Sequence, residues 1–431
     1  VFLDRRQRVL DAMGPDAVAF FVGARLVTRS NDTEYPFRQD SDFWYLTGFD
    51  HPEAVAVLRT DGGPAFTLFV QPREPEAETW TGYRPGVEGA RSEFGADEAH
   101  PIGELHGLLP GLVEKARRIY HVLGRDTALD RRLIEVLEDL RRRSRIGIDP
   151  ASEIVDPRSI VHEMRLFKDG DELRLMREAQ DITCEAHREA AALAWPDRLE
   201  FELEAALDYV FRRRGGAGAA YSSIVGGGAN ATVLHYIRND QPLRKGELVL
   251  VDAGAEYRGY AADVTRTYPV GGRFEGAHRA VYEAVLDAQL AGLDACRPGA
   301  TLESIHEVTL RVLVERMVQL GLLHGTVDDL VRDGAYRPYY MHRTSHWLGL
   351  DVHDVGAYSS GGQPRALEPG MVFTVEPGLY VSSDATDAPE SLRGIGVRIE
   401  DDVLVTEDGH ENLSAAFPKH PDEVEAWVKA G

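Results

Sequence analysis

Hydrophobic and polar positions follow two rhythms along this chain. Ala17–Val22, Phe43–Leu46, Ala54–Leu58, Phe66–Val70 and Ile119–Leu123 are short runs rich in β-branched and aromatic residues, and they predict strands. Ala128–Arg143 instead spaces its apolar residues as a helix does. The mixture predicts a small α/β domain over residues 1–166. Asp169-Gly170-Asp171-Glu172 then opens a long helical pattern with acids in its first turn, running to about Ala194. Pro196-Asp197 resets the chain for another helix that ends at Gly215-Gly216. From Ala220 onward, β-type runs alternate with helical segments at about Gly276–Cys296 and Leu302–Leu320. This order predicts an α+β domain over residues 167–431. Gly226-Gly227-Gly228 reads as a turn, because no Lys-Ser/Thr follows to make it a phosphate loop.

Acids interrupt the β-type runs of this second domain. Asp252 closes Leu248-Val249-Leu250-Val251, and Asp263 breaks Ala261-Ala262-Asp263-Val264-Thr265. Glu376 closes Met371–Val375, and Glu400 follows Gly396-Val397-Arg398-Ile399. Singly, each reads as a turn-capping acid at a strand end. Jointly they need a reason, since an ionised carboxylate near a core is costly unless paired or metal-bound. The segments are also related: Lys245–Gly254 aligns with Pro369–Gly378, with a glycine six positions before each acid and another two after it. This is an internal duplication. Two strand pairs around a pseudo-twofold axis would bring these four carboxylates to one place. With a single imidazole, His346, an oxygen-rich set of this kind suits Mn²⁺, Co²⁺ or Zn²⁺ better than a thiolate-seeking metal. Two bridging acids would hold two metals about 3.5–4 Å apart, as in two-metal hydrolases.

Longer strings carry a family resemblance. Glu34–Phe49, Val161–Lys168, Ser345–Asp354 and the segment around Glu400 resemble the bacterial Xaa-Pro aminopeptidases (aminopeptidase P), which are pita-bread metallopeptidases. The resemblance covers nearly the whole chain. It implies a pita-bread catalytic domain, α+β in class, after a smaller N-terminal domain of aminopeptidase P type. It implies two divalent ions, Mn²⁺ by first choice with Co²⁺ or Zn²⁺ as alternatives, held by Asp252, Asp263, His346, Glu376 and Glu400. Asp263 and Glu400 would bridge, Asp252 would bind one ion, and Glu376 with His346 the other.

The implied reaction is hydrolysis of the bond between an N-terminal residue and a penultimate proline by a metal-bridging hydroxide. Glu376 is the implied proton shuttle, His353 the donor to the tetrahedral intermediate, and His235 a histidine of the substrate pocket. His342, Tyr380, Arg398, Trp80 and Arg145 are implied substrate contacts, the last two in some members reaching in from a neighbouring subunit. His342 reads equally as a packed side chain. Arg398 either clamps a carboxylate bidentately or neutralises surplus acid. A prolidase would use the same ligands on dipeptides, and an inactive peptide-binding relative would be expected to have lost some of them.

Composition narrows the partners. A formal net charge of −23 argues against nucleic acid, which calls for a basic patch. Arg141–Arg143 and Arg212–Arg214 are basic runs, but each ends a helical pattern and complements its dipole. No apolar run approaches the roughly 18–20 residues that span a bilayer. Val1–Gly14 has arginines without an apolar stretch and is not read as a secretory signal. Cys184 and Cys296 are the only cysteines in 431 residues, which points to a reducing, cytoplasmic setting without a disulfide scaffold. The resemblance adds the expectation of a homodimer or homotetramer acting on proline-containing peptides.

Overall fold

The computed structural model of the chain describes residues 1–143, 145 and 147–430. Two compact units result, Val1–Met164 and Arg165–Gly431. The first is built on a six-stranded sheet of β1 (Ala17–Val22), β2 (Val55–Arg59), β3 (Phe66–Val70), β4 (Glu98–Pro101), β5 (Arg118–His121) and β6 (Glu153–Val155), in the order β4-β3-β2-β1-β5-β6. β1 runs parallel to β5 and antiparallel to β2. Val18, Phe20, Val57 and Ile119 pack beneath helices Leu105–Val113 and Thr127–Arg142, whose Leu109, Leu133 and Leu137 complete a core.

One predicted strand is a helix. Phe43–Leu46 lies inside the helix Ser41–Thr47, although its residues favour strands. Local capping overrides the propensity: the Asp40 side chain accepts from the Phe43 N–H, and Gly48 closes the last turn at φ 67°. Phe43, Tyr45 and Leu46 are buried together at helical spacing, which a short aromatic run does not announce.

In the second unit, helix Gly170–Ala192 starts from a capping box in which Asp169 and Glu172 satisfy each other's backbone donors. Helices Glu200–Arg213, Gly276–Asp294 and Leu302–Gln319 follow it, and all contribute to one large core. The unit's strands include β7 (Ile224–Gly227), β8 (Leu248–Asp252), β9 (Ala255–Tyr257), β10 (Tyr260–Ala261) and β11 (Thr265–Pro269), then β12 (Val372–Val375), β13 (Gly378–Val381), β14 (Ile395–Arg398), β15 (Asp401–Val405) and β16 (His410–Asn412). Gly226 and Gly227, read as part of a turn, extend β7; a Cβ on Gly226 would lie 3.0 Å from the Ala231 nitrogen, so the glycine admits a close backbone crossing.

The duplication is visible as topology. β8 pairs antiparallel with β11, and the hairpin β9–β10 lies between them in the chain. β12 likewise pairs antiparallel with β15, with hairpin β13–β14 between them. The repeated glycines have repeated causes. Gly246 and Gly370 enter the first strand of each half at φ 84° and 94°, where a side chain is strained. Gly254 and Gly378 follow the acids where a Cβ would lie 1.7 Å from the Ala262 carbonyl oxygen and 2.2 Å from the Tyr380 hydroxyl.

Candidate active site

Each acid stands where a long strand meets its hairpin. Asp252 ends β8 opposite Thr265, and Asp263 stands one residue, Val264, away from the start of β11. Glu376 lies between β12 and β13, and Glu400 between β14 and β15. The two halves therefore deliver their acids at equivalent junctions. Asp263, His346 and Glu400 each place one ligand-type atom so that all lie within 4.8 Å of one another. His346 Nε2 is 3.4 Å from Asp263 Oδ2 and 3.4 Å from Glu376 Oε1. Tyr221 joins the other side, its hydroxyl 2.6 Å from Asp252 Oδ1 and 2.5 Å from Asp263 Oδ1.

The ring of His346 is oriented by backbone. Its Nδ1 lies 3.0 Å from the Trp347 carbonyl oxygen, which can only accept, so Nδ1 carries the hydrogen and Nε2 turns to the carboxylates. That is how a metal-binding imidazole is usually held. Burial opposes a charge there, but Asp263 and Glu376 outweigh it and hold the pKa up to about 9. Burial, reinforced by Asp263 and Asp252, raises Glu376 to about 7. Glu400 is pushed well above the carboxylate range, by burial first and then by Asp263 and Glu376. Acids that raise one another in this way call for cations.

Arg398 supplies one. Its Nη2 donates to Asp252 Oδ2 at 2.5 Å, Nη1 to the Tyr380 hydroxyl at 3.0 Å, and Nε to Thr265 Oγ1 at 3.1 Å. Among the four acids these bonds reach Asp252 alone. Thr265 Oγ1 passes its own hydrogen to Glu400 Oε2 at 2.6 Å. Tyr380 in turn faces His342 Nε2 at 2.9 Å. His342 Nδ1 meets the Arg343 carbonyl at 2.7 Å and must donate, so Nε2 accepts from Tyr380. Burial, with Arg398 nearby, lowers the His342 pKa to about 4 and keeps the ring neutral.

Tyr221, Arg398 and the four acids line a cavity of about 540 Å³. Its wall is acidic at Asp252, Asp263, Glu376 and Glu400, and apolar at Ile224, Leu234, Ile237 and Val352. His235, His342, His346 and His353 also line it. His353 lies with its ring centroid 4.4 Å from that of His346, and burial followed by the His346 charge lowers its pKa. Tyr380 reaches the cluster through Arg398 and His342. Trp80 and Arg145 belong to the first unit, where both are exposed, and neither lines this cavity. Tyr221 escapes sequence reasoning; nothing in Tyr221-Ser222-Ser223 marks it.

The model of metallopeptidase family M24 matches residues 174–407, and that of the aminopeptidase P N-terminal domain matches residues 2–120. The chain belongs to metallopeptidase family M24. It is 44% identical over 431 residues to the Xaa-Pro aminopeptidase of Escherichia coli K12, covering 100% of this chain and 97% of that one. The structure of the aminopeptidase PepP of Pseudomonas aeruginosa superposes with a TM-score of 0.97 at 45% identity, covering 100% and 97% of the two chains. Zinc-substituted aminopeptidase P of E. coli in complex with product gives a TM-score of 0.95 at 44% identity, covering 100% and 98%. This M24 member therefore has the pita-bread catalytic fold and the N-terminal domain of aminopeptidase P.

Proposed function

We propose that this M24 metallopeptidase is an Xaa-Pro aminopeptidase, releasing the first residue from peptides whose second residue is proline. The observation that carries the proposal is the convergence of Asp263, His346 and Glu400 on one point, beside Asp252 and Glu376, in a chain related over its full length to an Xaa-Pro aminopeptidase. The donor set fits divalent metal: five oxygen or imidazole ligands, with an imidazole already turned by the Trp347 carbonyl. We assign Asp252, Asp263, His346, Glu376 and Glu400 to two ions, Mn²⁺ by preference, with Co²⁺ or Zn²⁺ able to use the same ligands. Such ions, when bound, supply Lewis-acid polarisation of the scissile carbonyl and acidify a water.

The chain's own groups do the rest. Glu376 takes the proton of the attacking water and delivers it to the proline nitrogen, which as a tertiary amide must be protonated to leave. His353 donates to the carbonyl oxygen as negative charge develops there. His235, at the exposed edge of the cavity, faces the bound peptide. His342, Tyr380 and Arg398 hold the wall in place through their hydrogen-bonded chain. Trp80 and Arg145 would serve the site from a second copy in a homodimer or homotetramer. We assign the working environment to the cytoplasm, on the two lone buried cysteines. No helix among the described residues is long and apolar enough to cross a membrane.

Cleavage of Xaa-Pro-Yaa and Xaa-Pro, after Mn²⁺ loading and again with chelator, tests the proposal. Metal-dependent release of Xaa from the tripeptide supports it, whereas cleavage of the dipeptide alone makes the enzyme a prolidase. Glu376→Gln is expected to lower turnover about 10²–10⁴-fold, the usual worth of general acid–base help, with folding retained. Unchanged turnover would remove Glu376 from the proton path.

A further inference from the structure

The active-site cavity is electrically polar, and one of its charges has no role yet. Its acids gather about His346 and Tyr221, and a peptide's α-ammonium is drawn there. Two arginines line it, Arg343 and Arg398. Arg398 is fully engaged with Asp252, Tyr380 and Thr265 and is buried. Arg343 is different. Its side chain is 64% exposed, and it pairs with Glu303 at 3.2 Å, itself 46% exposed. An ion pair that open is weak, so the guanidinium can turn to a better partner.

Arg343 also marks a junction. A second cavity of about 420 Å³ lies beside the first, and Arg343 and Ser345 line both. Trp347 and Tyr358 give this second cavity an aromatic wall. Leu302 and Pro364 add apolar surface to it. The space beyond Arg343 thus offers apolar surface at Leu302, Tyr358 and Pro364 beside the charged Arg343, as an extended peptide would require.

We infer that Arg343 is a specificity-determining residue that binds a carboxylate just downstream of the substrate's proline. Resting on the Xaa-Pro reading, this fixes the direction of the peptide: amino end at the acids, carboxylate at Arg343, and any longer chain continuing into the second cavity. The carboxylate can be the chain terminus of a tripeptide or an Asp or Glu side chain at the third position. Guanidinium and carboxylate match as bidentate partners, which a lysine would not reproduce.

Calorimetric binding to the metal-loaded protein tests this without requiring turnover. The probes are Pro-Ala against Pro-Ala-amide, and Pro-Glu-amide against Pro-Gln-amide. Wild type is expected to prefer the carboxylate member of at least one pair about five- to tenfold, the range for a partly exposed charge-assisted contact. The first pair reports the chain terminus and the second the side chain. Arg343→Gln is expected to abolish the preference and Arg343→Glu to reverse it, while Glu303→Gln, which releases the guanidinium, strengthens it. Equal binding within both pairs by wild type, or a preference that survives Arg343→Gln, overturns the inference. An intact, Arg343-dependent preference in a protein that cleaves no Xaa-Pro bond would sink the proposed activity and leave the carboxylate site standing.

Discussion

Glu400 and Asp401 are neighbours in the chain, both buried, and they live in opposite electrostatic worlds. Asp401 receives Arg266 Nη2 at 2.6 Å, Gln289 at 2.8 Å, Asn412 at 2.8 Å and the Lys419 ammonium. Burial would raise its pKa, yet Arg266 and Lys419 bring it down to about 2. Glu400 faces the other way, toward Asp252, Asp263 and Glu376, and its pKa rises well above the carboxylate range. One cluster meets its carboxylate with two cations from within the protein. The other gathers four carboxylates, of which Arg398 meets only Asp252 directly, and leaves negative charge unmet. A structural ionic cluster and one proposed to bind metal are thus told apart by how their carboxylates are met, since burial is common to both.

The largest break in this comparison comes from removing the Asp401 charge. Asp401→Asn strands Arg266 and Lys419 in the interior and is expected to cost about 3–5 kcal/mol in urea unfolding. A loss below about 1 kcal/mol would show that water reaches Arg266, contrary to its complete burial.

Asp354 carries the contrast into pH. It accepts from Arg165 Nη2 at 2.5 Å and Lys168 Nζ at 3.0 Å, and it adjoins His353. Burial opposes its charge, but Lys168 and Arg165 prevail and hold its pKa below the ordinary value. Its stabilisation is therefore present above the unfolded value of about 3.9 and drains away as pH falls through the folded value. Asp354→Asn is expected to cost about 3 kcal/mol at neutral pH, and the gap to wild type should narrow only in acid. A gap independent of pH between neutrality and about pH 3 would remove Asp354's charge from the account.

The open cluster should respond in the opposite sense. Chelation is expected to lower the stability of the native enzyme by about 2.7 kcal/mol relative to metal at about a hundred times its Kd. Glu400→Gln should abolish most of that difference. In chelator it should be as stable as wild type or more so, because it removes one of the mutually repelling acids. A Glu400→Gln protein that is less stable than wild type in chelator would mean that the four acids do not repel as their positions require.

The readable part of this site is the part written as violation of pattern. Asp252 and Glu376 end apolar runs, and their flanking glycines repeat, so the duplication and the acids are visible without any knowledge of the fold. Those glycines are needed for φ in one case and for space in the other, which is why they recur at fixed offsets. What stays hidden depends on backbone or on distant chain. The orienting partner of His346 is a carbonyl, which every residue owns. The carboxylate partner of Arg398 is 146 positions away. Phe43–Leu46 reads wrongly as a strand because a four-residue aromatic run carries too little periodicity to overrule its propensity, whereas the Asp40 cap and Gly48 do.

Tyr221 sharpens the comparison most finely, because it serves the open cluster without a charge. Its hydroxyl is nearly equidistant from Asp252, at 2.6 Å, and Asp263, at 2.5 Å, and has one hydrogen to give them. Burial and then Asp252 raise its pKa well above the ordinary phenol value, so the hydroxyl stays neutral and remains a donor. Tyr221→Phe removes that donor and leaves both acids to any bound cation. The expected stability change is about 1 kcal/mol or less in chelator, the worth of one hydrogen bond. Metal affinity should shift less than in Glu400→Gln, since every ligand remains. If calorimetry instead found Tyr221→Phe as deficient in metal as Glu400→Gln, the phenol would have to be counted as part of the ligand set, and the charges that meet the carboxylates would no longer be enough to separate the two clusters.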